Sequence, residues 1–180
     1  MSCHPFKLTW RLNLPLKVGF LCWQLVQKVI PSAEFLISRG MAVNNTCSLC
    51  KLHVEKALHI FFKWDFARGV WFGLNLSSVV SRMEHTDIKE GFCTIINELG
   101  KLTNYEEWLS MYGAGLWQVW KARNVARFEN KQVSARHSLF SFLLLFQCGN
   151  VCNKNQIQFI HITKTFLTLG PKYHRSIGLS

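Results

Sequence analysis

The sequence predicts a mainly α-helical fold, a small helical bundle with a Cys-x-x-Cys turn and an irregular C-terminal tail. Three observations predict it. Apolar side chains recur at helical spacing in successive segments as far as residue 130. Helix punctuation, in Pro31-Ser32, Gly40, Gly100 and Asn104, falls between those segments. Strand-like alternation is confined to one late stretch, residues 156–169.

Residues 15–29 read as the first helix, with Val18, Leu21, Cys22, Leu25 and Val29 on one stripe. Phe20 and Trp23 fall on the other side, so this helix is expected to be buried between neighbours. Pro31 is read as its stop. Ser32 offers the hydroxyl of an N-cap for a second helix through Arg39, and Gly40 the left-handed terminator. Residues 41–46 then lead into Cys47 and Cys50. A third helix is expected over 54–71, its Leu58, Phe61, Phe62, Phe66, Val70 and Trp71 serving as core.

Residues 76–81 read as a polar break. A helix over 87–99 turns Ile88, Phe92, Ile95, Ile96 and Leu99 inward and ends at Gly100. Asn104 is placed to cap a longer helix to about residue 130, with Trp108, Met111, Trp117, Trp120 and Phe128 on its apolar side. Gly113 and Gly115 are its expected weak spot, each costing about 1 kcal/mol relative to alanine. Beyond it, 138–148 suits one more apolar helix, and Gly170-Pro171 closes the weak strand signal. The organisation expected is a first unit over 1–75, a helical linker over 76–132 and a divergent tail over 133–180.

Composition narrows the function. No uncharged apolar run approaches the 18–20 residues, roughly, that a bilayer crossing needs, so a membrane partner is not expected. The first residues mix Lys7, Arg11 and Lys17 with prolines, unlike an export signal. Seven cysteines, an odd number, argue against a disulfide framework and for a reducing compartment, nuclear or cytoplasmic. The net charge of +11 divides into +6 over residues 1–71, −1 over 72–130 and +6 over 131–180. Such basic ends attract polyanions, RNA or DNA first among them, although a merely solvated surface gives the same count.

The chemistry centres on residues 47–71. Two cysteines spaced Cys-x-x-Cys can aim both sulfurs at one ion, and His59 can meet them from the following helix. Those are three of the four ligands of a tetrahedral zinc. A sulfur five residues after His59 would complete the set, but Trp64 stands there, and indole has no in-plane lone pair to give. His53 is the nearest substitute and Cys93 a distant one; water is the third option, and an ordinary packed histidine the plain alternative for His59. Lys51, Lys56, Lys63 and Arg68 surround the site and are the candidate nucleic-acid contacts, with Lys121, Arg123 and Arg127 farther along. Glu55 reads as stabilising the N-terminus of its own helix.

These residues also carry a resemblance. Trp10, Pro15, Lys17, Trp23, Ile30-Pro31, Arg39-Gly40, Cys47, Cys50, Glu55, His59-Ile60-Phe61-Phe62, Ala67 and Val70-Trp71 follow one spaced pattern. It resembles the reverse transcriptase zinc-binding domain of plant non-LTR retrotransposons. A second run, Trp117-x-x-Trp120-Lys-Ala-Arg-Asn124 with Phe128-Glu129, is similar to the helical segment those elements carry toward a ribonuclease H domain. The resemblance implies zinc as cofactor, RNA or DNA as partner, and cysteine where Trp64 stands.

Catalysis is not expected. Polymerases and ribonucleases H hold two metal ions with clustered aspartates, and this chain has two aspartates, Asp65 and Asp87, far apart. The other histidines fall in no nucleophile–base pattern. The reading is a non-catalytic, zinc-finger-like nucleic-acid-binding module with a degenerate metal site. Its alternative is a decayed structural remnant without metal or activity.

Overall fold

In the computed structural model, which describes residues 15–81, 87–131 and 133–134, five α-helices and one π turn gather around a sixth, long helix. Helix α1, Leu16–Val26, begins directly after Pro15 and buries Val18, Leu21, Cys22, Leu25 and Val26. Lys28 adopts a positive φ of 57°, so the chain turns before Pro31, which is not the stop. Nor is α1 buried all round: Leu16 and Phe20 are 74% and 52% exposed. One stripe suffices because its neighbours cover a single side, and Phe20 instead stacks on the half-buried Trp23, centroids 5.4 Å apart. Helix α2, Ala33–Ser38, is punctuated as expected. The Ser32 hydroxyl accepts from the Phe35 N–H, and Gly40 takes φ +80°.

The third expected helix is broken. Val54 forms an isolated antiparallel bridge with Thr46, His59–Lys63 is a π turn, and α3, Asp65–Gly73, starts only after an extended Trp64. The cause lies in the aromatic run itself. His59, Ile60, Phe61 and Phe62 are four consecutive buried residues, more than one face of an α-helix can turn inward. Widening the turn and restarting the helix buries these together with Phe66, Val70 and Trp71. The Trp64 N–H closes the π turn on the His59 carbonyl (2.9 Å), and the Trp71 indole donates to the Phe61 carbonyl (2.7 Å).

Residues 76–81 are not a polar break. Leu76 and Val80 are buried, and the short helix α4, Ser77–Val80, lies between α3 and α5. Helix α5, Ile88–Leu99, is capped by the Asp87 carboxylate, which accepts from the Lys89 N–H and pairs with Lys28. Its five expected inward residues are all buried.

Helix α6, Tyr105–Phe128, packs on α1, the π turn, α3 and α5. Asn104 precedes it without a side-chain capping bond. Phe128, expected inward, is 75% exposed. Gly115 is not a weak spot but a point of close approach: a Cβ there would lie 2.5 Å from the Trp71 ring and 2.8 Å from Leu74. The expected helix over 138–148 and strand over 156–169 lie outside the described residues. Among those described, no helix is long and apolar enough to cross a membrane.

Candidate metal centre

The bridge between Thr46 and Val54 pinches off a turn whose only route back is tight. The Cys47 N–H donates to the His53 carbonyl (2.8 Å) and the Lys51 N–H to the Cys47 carbonyl (3.0 Å), with Lys51 at φ +58°. This backbone points amides at sulfur. The N–H groups of Cys50 and Leu49 serve the Cys47 sulfur, and those of Leu52 and His53 serve the Cys50 sulfur. Charge-assisted N–H···S bonds of this kind favour the thiolate, the form a metal takes. Burial nevertheless pushes the Cys47 thiol up, since it is fully enclosed and sits beside a second sulfur. Burial also opposes ionisation of Cys50, but its amide bonds and the His53 side chain outweigh it and hold that thiol below its usual value.

His59, the first residue of the π turn, supplies the facing imidazole. Its Nε2 lies 3.4 Å from the Cys50 Sγ, and one donor atom from each of Cys47, Cys50 and His59 lies within 4.8 Å of the others. Bond lengths to a tetrahedral zinc, about 2.3 Å for sulfur and 2.0–2.1 Å for nitrogen, put donors about 3.6 Å apart. The three residues therefore fit such an ion. Burial, then the neighbouring His53, hold His59 below its ordinary pKa, so its ring is neutral with a lone pair to give. His53 also comes close, its Nδ1 3.6 Å from the Cys50 Sγ. Trp64 offers no ligand atom; it is buried and stacked on Phe66 with centroids 4.5 Å apart. Cys93 is buried on α5 and is outside the converging group.

Residues 1–71 match the protein family described as zinc-binding in reverse transcriptase. This segment is similar to that family, over 71 of the chain's 180 residues. The spaced pattern from Trp10 to Trp71 lies within the matched residues. Among curated proteins, the chain is similar to one from Arabidopsis thaliana named "Putative ribonuclease H protein", at 23% identity over 121 residues. The match covers 66% of this chain and 19% of that protein, so the chain spans about a fifth of the relative's length. No solved structure matches.

Around the cysteine turn the basic residues divide by their partners. Lys51, Lys63 and Arg68 are exposed and have no acidic partner among the described residues. Lys56 is exposed too, but its ammonium pairs with Glu34 at 2.7 Å. Arg123 and Arg127 are engaged within the protein. Arg123 is 2% exposed and donates to Glu55 Oε1 at 2.6 Å and to the Pro31 carbonyl; Arg127 donates to Glu55 Oε2 at 3.1 Å and to the Asn44 carbonyl. Glu55 does not serve its own helix. Its Oε1 accepts the Ala33 N–H at 3.0 Å, the first amide of α2. Arg123 and Arg127 stand four apart, one helical turn, which was the available sign that both face one acceptor.

Proposed function

We propose that the chain is a non-catalytic, zinc-stabilised module that binds RNA or DNA. The observation carrying this reading is the convergence of the Cys47, Cys50 and His59 donor atoms in a turn flanked by three exposed cations. Zinc, when bound, supplies a cross-link between the cysteine turn and the π turn. The chain's own residues do the rest. Lys51 rides on the turn, Lys63 ends the π turn and Arg68 projects from α3, so fixing the turn fixes where positive charge is offered. The family match supports zinc, and the charge supports a polyanion. Against catalysis stand the roles of the two aspartates: Asp87 caps α5 and pairs with Lys28, and Asp65 opens α3.

The test is binding of single-stranded RNA and duplex DNA by the full chain across a salt series, with and without a chelator. Affinity is expected to fall as salt rises and to weaken on metal removal. Replacing Lys51, Lys63 and Arg68 together by alanine is expected to lower the log–log salt slope by about 2 on single strands. An unchanged slope removes these three residues from the interface. A structural remnant is the second reading, favoured by the burial of Trp64 where the family's pattern implies a sulfur. Retention of neither metal nor nucleic acid would establish it.

A further inference from the structure

The zinc reading leaves one coordination position open, and the residues around the turn narrow what fills it. The indole of Trp64 has no ligand atom, and its ring is held in the core against Phe66. Glu55 is committed to Arg123 and Arg127. Cys93 lies in α5, beside Tyr112 in the helical core. His53 is different in every respect. It is exposed, it sits on the cysteine turn, its carbonyl is anchored by the Cys47 N–H, and its ring already lies against Cys50 and His59. It stands outside the group of three donors that lie within 4.8 Å of one another, so the ring must swing inward to join them.

Resting on that zinc reading, we propose that His53 is the fourth ligand, through Nδ1, closing a Cys2His2 site with Cys47, Cys50 and His59. The Cys50 sulfur is 3.6 Å from His53 Nδ1 and 3.4 Å from His59 Nε2. Both separations match the edge of about 3.6 Å expected between donors on a tetrahedral zinc. The two rings are neighbours, with centroids 5.2 Å apart and planes inclined by 35°. Binding releases the two thiol protons to solvent and leaves two thiolates, two neutral imidazoles and a divalent ion, with no net charge. A set of three thiolates and one imidazole would carry one negative charge. Exchanging sulfur at position 64 for nitrogen at position 53 thus removes an anion from a turn that carries Lys51, a change favourable to a polyanion. It also closes the site against water, the arrangement of structural rather than catalytic zinc.

The test uses the full chain loaded with cobalt(II) in place of zinc, read by its visible absorption and by competition against a chromophoric chelator. Wild type is expected to show the intense bands of four-coordinate cobalt. His53→Ala is expected to lose at least the roughly tenfold affinity that changes beyond the ligand shell already cost, with its helical circular dichroism unchanged. His53→Cys is expected to keep tight binding and to raise the sulfur-to-cobalt charge-transfer intensity by about half, as two thiolates become three. Equal affinity and spectrum in His53→Ala would overturn the assignment of His53 while leaving the three-ligand site standing. No cobalt or zinc binding by wild type would overturn both.

Discussion

Glu55 is fully buried, yet all its carboxylate contacts come from elsewhere in the chain: the Ala33 amide, Arg123 and Arg127. A charge in such a place is tolerable only while paired, because removing one partner strands the other in the interior. Glu55→Gln is therefore expected to destabilise the fold by about 3–5 kcal/mol, measured by urea unfolding. Burial alone would raise the Glu55 pKa, but the Arg123 hydrogen bond and the two guanidinium charges outweigh it and hold it low. A folded value below the unfolded one means this stability is complete above the unfolded pKa. It is lost as pH falls through the folded value. His59 is depressed as well, by burial, and its contribution fades as pH drops below about 6.5, where the unfolded chain takes up the proton. The urea midpoint should decline in acid, and less steeply in Glu55→Gln. The sequence assigned Glu55 to the N-terminus of its own helix; the helix it serves is α2 instead, because Ala33 lies 22 residues upstream and nothing local records that pairing.

Between helices, closeness is set by what is missing. Gly115 lets α6 approach the Trp71 ring, and that ring cannot give way because its indole N–H is tied to the Phe61 carbonyl. Gly115→Ala gains about 1 kcal/mol of helix propensity and meets an overpacking cost of about 1–3 kcal/mol. The collision is expected to win, lowering stability in urea by up to about 2 kcal/mol. Gly19 in α1 is the control: a Cβ there meets nothing within 4 Å, so Gly19→Ala should raise stability by up to about 1 kcal/mol. Helix periodicity made α1, α2, α5 and α6 legible to within a few residues, and capping chemistry located Ser32 and Gly40. The break at Trp64 was not legible. A run in which every residue is apolar has no period to read, and a π turn followed by a restart buries it as well as an unbroken helix would suggest. The cysteine pair and His59 were legible because their spacing is chemical rather than periodic.

Across the described residues, the segment up to Trp71 and the long helix share one core. Helix α6 packs on α1, the π turn and α3, and Arg127 also holds the Asn44 carbonyl beside the cysteine turn. A fragment ending at residue 75 lacks Arg123, Arg127 and the whole of α6. Such a fragment is expected to show no cooperative urea transition, whereas one ending at residue 134 should unfold in a single step. A sharp transition in the shorter piece would show that the first unit stands by itself. The pairing of Glu55 with Arg123 joins positions 68 apart in the chain. On a ribosome the acid is made first and its counter-charge much later. Until the arginine leaves the exit tunnel, the carboxylate keeps its water, and the segment around Glu55 waits for residues made 68 positions later before it can dry out and lock.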